Sequence, residues 1–221
     1  MIKMKYLLIS VIITISFHVR GQNHFIGIKG GVNYTNINSD TFFSTSSYRT
    51  GINGGFLYDF KLNKKIHFGI EALYSQKGFK YDIHFTDQFG DVIEDKLTLD
   101  YNYNYLSLPL KAGIEFGDKF SGFTNISFVP SILVRAKTHI PAWRNVIVSD
   151  TFDVTEDVTL IDLSGLVEIG FGYRITDDYI IFTSVSCQVG INSFANSEYF
   201  ANSRMTHFGL NSAIGLKYKL K

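Results

Sequence analysis

Residues 52–74 alternate with a period of two. Ile52, Phe56, Tyr58, Phe60 and Leu62 share one parity, and Asn53, Gly55, Asp59 and Lys61 share the other. After the polar Asn63-Lys64-Lys65, the apolar parity resumes with Ile66, Phe68, Ile70, Ala72 and Tyr74, opposite His67, Gly69, Glu71 and Ser75. Successive side chains of a strand point to opposite faces, so this pattern predicts two strands, each with one apolar and one polar face. The short polar break makes them an antiparallel hairpin. Each arm runs to about ten residues, the length a tilted strand needs to cross a bilayer.

The same alternation recurs over 25–34, 105–116, 123–137, 162–175, 179–192 and 207–220. Three connections are tight turns (Asn63-Lys64-Lys65, Gly117-Asp118-Lys119 and Thr176-Asp177-Asp178), and four are long polar stretches, 35–50, 76–103, 138–160 and 193–206. Short turns at one end and long loops at the other are the pattern of bacterial outer-membrane barrels, with turns in the periplasm and loops outside. The chain is therefore expected to be all-β, an eight-stranded antiparallel up-and-down transmembrane β-barrel. Pro109 and Pro130 fall inside predicted strands and cannot donate a ladder bond, so bulges are expected there.

A soluble, lipocalin-like ligand-binding barrel would also alternate, and charge separates the two. Forty-nine apolar-parity positions across the eight strands include no Asp, Glu, Lys or Arg. The opposite parity carries Lys29, Asp59, Lys61, Glu71, Lys111, Glu115, Arg135, Lys137, Asp162, Glu168, Arg174, Lys217 and Lys219. A lipid-facing wall must exclude charge, because an Arg or Lys at mid-bilayer costs about 2–4 kcal/mol. The polar parity then points inward, into a barrel only wide enough for its own side chains. Buried charges must pair, so Glu71, Lys111, Glu115, Arg135, Glu168 and Arg174 are expected to form an interior network that plugs the lumen. Inward glycines at 55, 69, 113, 170 and 172 leave room for these long side chains.

The first residues refine the picture. Lys3 and Lys5 precede an apolar run from Tyr6 to Phe17, and Val19 and Gly21 suit cleavage before Gln22. Residues 1–21 read as a secretory signal peptide and 22–221 as the barrel domain. Twelve apolar residues fall short of the roughly twenty of a spanning helix. The formal net charge of +1 gives no electrostatic case for nucleic acid. Cys187 is the single cysteine, on an apolar strand parity, so it forms no internal disulfide and reads as a small hydrophobe.

No catalytic, metal or cofactor motif is present: His-Glu-x-x-His, Cys-x-x-Cys, Gly-x-Ser-x-Gly and phosphate-loop patterns are all missing. The histidines of the predicted mature chain are His24, His67, His84, His139 and His207, and the last three fall near the loop end. A rim-site hydrolase acting on lipid or peptide would have to assemble Ser193, His207 and an acid such as Glu198, at a spacing that nothing demands. The acidic loop residues lack the regular spacing of a calcium motif and read as solvated. Trp143, beside Pro141, suits either a partner anchor or an interfacial aromatic.

Three short motifs point to a family. Gly27-Ile28-Lys29-Gly30-Gly31-Val32-Asn33, Leu73-Tyr74-Ser75-Gln76-Lys77-Gly78 and Tyr105-Leu106-Ser107-Leu108-Pro109-Leu110 occur in order. With them the chain resembles the PorT-like outer-membrane barrels of Bacteroidetes, also called the outer membrane protein beta-barrel domain. The resemblance implies a cell-surface barrel of a Gram-negative bacterium. The expected role is structural or adhesive and non-enzymatic, with outer-membrane lipid around the wall. Envelope or secretion-complex partners are expected at loops 35–50, 76–103, 138–160 and 193–206.

Overall fold

A computed structural model describes residues 23–39, 46–86, 89, 92–143, 146–196 and 204–220. The predicted signal peptide and Glu198 lie outside these residues. Among them are ten strands: β1 Asn23–Ser39, β2 Ser47–Lys61, β3 Ile66–Thr86, β4 Val92–Ser107, β5 Leu110–Gly117, β6 Phe120–Ile140, β7 Asp150–Asp153, β8 Ile161–Arg174, β9 Tyr179–Gly190 and β10 Met205–Leu220. β4 and β5 are two parts of one stave. Each stave pairs antiparallel with its sequence neighbour, and β1 pairs with β10 along its length, from His24↔Leu220 to Ser39↔Met205. Eight staves thus close on themselves, and β7 hangs from the loop end of β6. No described helix is long and apolar enough to cross a membrane; the strands carry the apolar wall.

The wall is inverted relative to a water-soluble protein. Phe56 and Phe171 are more than 70% exposed, and Ile28, Ile52, Leu106, Ile126, Val167 and Ile214 share their outward face. Aromatic side chains cluster at both ends of this band, as expected at the two membrane–water interfaces. Tyr34 stacks on Tyr48, which meets the edge of Phe208, at the loop end. Tyr179 lies against Tyr218, and Phe120 against Tyr173, at the turn end.

Three departures from the sequence pattern matter for function. First, much of 76–103 is strand. β3 and β4 rise beyond the apolar band as a hairpin, with Phe79, Tyr101 and Tyr103 buried inside and Lys80, Asp100 and Asn102 on the other face. Gly78 holds φ +149° in β3, where a Cβ would strike the Tyr101 carbonyl oxygen. Second, the register passes Pro109 and Pro130 with no inserted residue: Ser107 faces Ser131 and Leu110 faces Phe128. Proline merely interrupts the ladder, separating β4 from β5. Third, the bulge lies higher. Asn104 faces Arg135 but Tyr105 faces Leu133, so Val134 is extra. One added residue swaps the faces beyond it: Val134 and Arg135 are both exposed, and Ala136 turns inward.

Candidate functional site

The lower lumen is a chain of alternating charges. Lys217 Nζ lies 2.7 Å from Asp59 Oδ2, and Lys111 Nζ lies 2.8 Å from Asp59 Oδ1 and 2.8 Å from Glu71 Oε1. Lys29 Nζ contacts Glu71 at 2.6 Å and Glu168 at 3.5 Å. Glu168 accepts from Asn125 Nδ2 at 2.7 Å, and the Asn125 carbonyl oxygen meets His67 Nε2 at 2.7 Å. This single thread joins β10, β2, β5, β3, β1, β8 and β6. Its three lysines balance three carboxylates, the condition under which charge can be buried. Inward Gly69 makes room: a Cβ there would collide with Asp59 and with Lys111. Nearer the turns, Lys61 pairs with Glu115 at 2.8 Å.

Above the charges lies an uncharged polar layer. Asn33 Oδ1 accepts from Asn53 Nδ2 and Asn211 Nδ2, both at 2.8 Å, and Asn33 Nδ2 donates to Ser75 Oγ at 3.0 Å. Ser107 and Ser131 hydroxyls meet at 2.8 Å. Higher still, one isolated pair, Lys77 Nζ to Asp162 Oδ2 at 2.6 Å, is almost wholly buried. Beyond it the lumen becomes aromatic. Phe79 stacks on Tyr101, and His207 stacks on Phe194 with ring centroids 4.0 Å apart, beside Tyr103 and Tyr105. Leu97, Leu99, Leu133, Ala136, Val158 and Met205 complete this core.

The structure brings Glu71, Lys111 and Glu168 together, with Glu115 in a separate pair nearer the turns. Arg135 is corrected: the Val134 bulge carries it out of the lumen, and its exposed side chain pairs with Asp153 at 3.0 Å. Arg174, at the end of β8, is half-buried and belongs to none of the pairs above. Lys29, Asp59 and Lys217, which complete the thread, stand on the same polar parity, so alternation alone could have included them. Of the supposed triad, Ser193 and His207 are each engaged with other partners, and Glu198 lies outside the described residues. The Ser193 hydroxyl accepts from Met205 N at 3.2 Å and faces the Ala195 carbonyl, whereas the buried His207 has its Nε2 3.4 Å from the Tyr105 hydroxyl. Among the described residues, no three His, Cys, Asp or Glu side chains are placed to hold a metal ion. Cys187 lies on the outward face. Trp143 stacks on Phe85, clasping the β6–β7 connection to the β3–β4 hairpin.

Packing leaves little space inside. Cavities at three heights of the lumen, lined by Asp59 and Glu115, by Glu71 and Glu168, and by Asn33 and His207, measure about 10, 20 and 10 Å³, room for about one water each.

A closed wall with an apolar outside and a filled polar inside defines an outer-membrane β-barrel protein. The chain belongs to the outer membrane protein beta-barrel domain family, whose model matches residues 20–221. Among solved structures it is similar to Neisserial surface protein A, at 11% identity over 91% of this chain and 100% of that one, with a TM-score of 0.49. It is also similar to Ail, the attachment invasion locus protein of Yersinia pestis, at 12% identity over 89% of this chain and 98% of that one, TM-score 0.41. A third is the outer membrane protease OmpT of Escherichia coli, at 10% identity over 90% and 96%, TM-score 0.44. No curated protein matches the chain.

Proposed function

We propose that the protein is a sealed, non-enzymatic barrel that acts through its long-loop end, as a surface-display or envelope-complex component. The observation that carries this reading is the filled lumen, whose cavities among the described residues measure about 10–20 Å³, too small for a solute larger than water. In this reading the turns face the periplasm, and the segments 35–50, 76–103, 138–160 and 193–206 meet partners outside. Exposed Val146, Val148 and Phe152 at the loop end support a protein contact there. The three ordered motifs around Gly27, Leu73 and Tyr105 support a place among the PorT-like barrels of Bacteroidetes, and so the envelope-complex form of the proposal.

Reconstitution in planar bilayers tests it. The expected outcome is a heat-modifiable barrel with no stepwise conductance; steady single-channel steps would overturn the reading. Photo-crosslinkers at Val148 and Phe152 are expected to give protein adducts in intact cells, and one at lipid-facing Phe56 is not.

A further inference from the structure

The outer wall of β3, β4 and β6 changes character in one step. Its apolar positions end at Tyr74, Leu106 and Val134. The next row outward is Gln76, Asn104 and Arg135, side by side in register, followed by Asn102 beside Lys137, and then Lys80, Asp100 and His139. At the start of β8, the next stave round, Ile161 faces Ile132 and the Leu160 carbonyl accepts from Leu133 N; both residues are exposed and apolar. The polar rows run in register across β3, β4 and β6.

Four cations, Arg49, Lys80, Arg135 and Lys137, stand on that side, and Asp153 is the register partner of Lys137. Arg49 is held by Asp100 at 2.6 Å and Arg135 by Asp153 at 3.0 Å, while Lys80 and Lys137 enter no ion pair among the described residues. The Val134 bulge is the cause. In regular pairing Arg135 would point into the aromatic lumen, but the extra residue re-aims it outward. Arg135 and Lys137 then stand about 7 Å apart along one face. They sit immediately past the apolar band, at the depth of the phosphates of a lipid whose acyl chains lie on Leu106, Ile132 and Val134. A guanidinium matches phosphate with two parallel hydrogen bonds. The Arg135–Asp153 pair is half exposed on both sides, and such pairs contribute little and yield to a stronger anion.

We propose that Arg135, Lys137 and Lys80 form a site for the phosphate-bearing headgroup of an anionic outer-leaflet lipid. The choice of leaflet rests on the loop-outside orientation proposed above. The test is titration of the full chain, in dodecyl maltoside micelles, with lipid A, phosphatidylethanolamine and inorganic phosphate, followed by native mass spectrometry. Lipid A is expected to bind saturably and in preference to the zwitterionic lipid. The double variant Arg135→Gln/Lys137→Gln should weaken it about tenfold. Asp153→Asn removes the internal competitor for Arg135 and should tighten it about two- to threefold. Arg135 and Asp153 are exposed and Lys137 is half-buried outside the lumen, so all variants should keep the heat-modifiable band. Unchanged lipid A binding by the double variant would sink the proposal. So would displacement of the lipid by millimolar inorganic phosphate, which marks a free-anion site, or equal binding of phosphatidylethanolamine, which marks a purely acyl contact. Bilayer conductance is blind to this site, so failure here leaves the sealed-barrel reading standing.

Discussion

Asp59 and Tyr103 are both sealed within one barrel, yet opposite physics holds them. Around Asp59 the wall is lipid-facing, so the interior must satisfy polar groups without bulk water, and it does so by alternating Lys217, Asp59, Lys111, Glu71, Lys29 and Glu168. Around Tyr103 the outer positions are the polar Asn102, Asn104 and Lys137, past the apolar band, and the interior is an ordinary apolar core. The same strand, β4, serves both regimes: its outward residues change from leucine to asparagine between Leu106 and Asn104. What counts as inside is set by the solvent on the other face. Specificity in the lower half comes from charge partnership, and in the upper half from shape.

That contrast can be broken most severely at Lys111. Lys111→Met leaves Asp59 and Glu71 short of a cation in a buried site and should cost about 3–5 kcal/mol, read as a lower temperature for loss of the compact band on gels. Lys77 offers the sharper test because its pair is isolated. Lys77→Met alone should cost toward the lower end of that range, whereas Lys77→Met/Asp162→Leu should come back close to the parent protein, since an apolar pair can replace a buried ionic one. Failure of the double variant to recover would show that the pair works through neighbours such as His207. In the aromatic half, Phe79→Ala should cost about 3 kcal/mol through cavity formation. The loss should be local: faster amide exchange in the β3–β4 hairpin, with the membrane-embedded pairing intact.

The smallest effect is electrostatic and lies outside the membrane. Hydrogen bonds from Lys96 and Thr98 hold the Asp82 carboxyl below the usual carboxylate range. A depressed folded value adds stability above the unfolded value near 4. That contribution disappears as pH falls through the lower, folded value. Hairpin amide protection should therefore drop in this acidic window, by less than about 1 kcal/mol for so exposed a pair, and Asp82→Asn should remove the dependence.

The lower barrel was legible because alternation and charge exclusion act on the same residues: Glu71, Lys111 and Glu168 stand on the polar parity, and the structure gathers them. The upper half was hidden by an inversion. Phe79, Tyr81, Ile83 and Phe85 alternate as regularly as any lower strand, and so do Leu97, Leu99, Tyr101 and Tyr103, but on the parity that is polar below Ser75 and Ser107. A reading that fixes one parity as apolar takes this swap for the end of the strand. Arg135 escaped for a related reason. A bulge is a mismatch in count between two strands, Asn104–Tyr105 against Leu133–Arg135, and one strand's own pattern does not record it.

The pairing of β1 with β10 also orders events in time. Asn33 receives hydrogen bonds from Asn53, twenty residues away, and from Asn211, 178 residues away. The first can form as soon as the leading hairpin exists; the second waits for the trailing end of the chain. Until then β1 keeps a free edge with unmet backbone partners, a template for wrong pairing, and contacts this distant make closure slow. The nascent protein must cross the periplasm as a chain whose last strand completes its first, so anything that delays β10 exposes β1 to other edges.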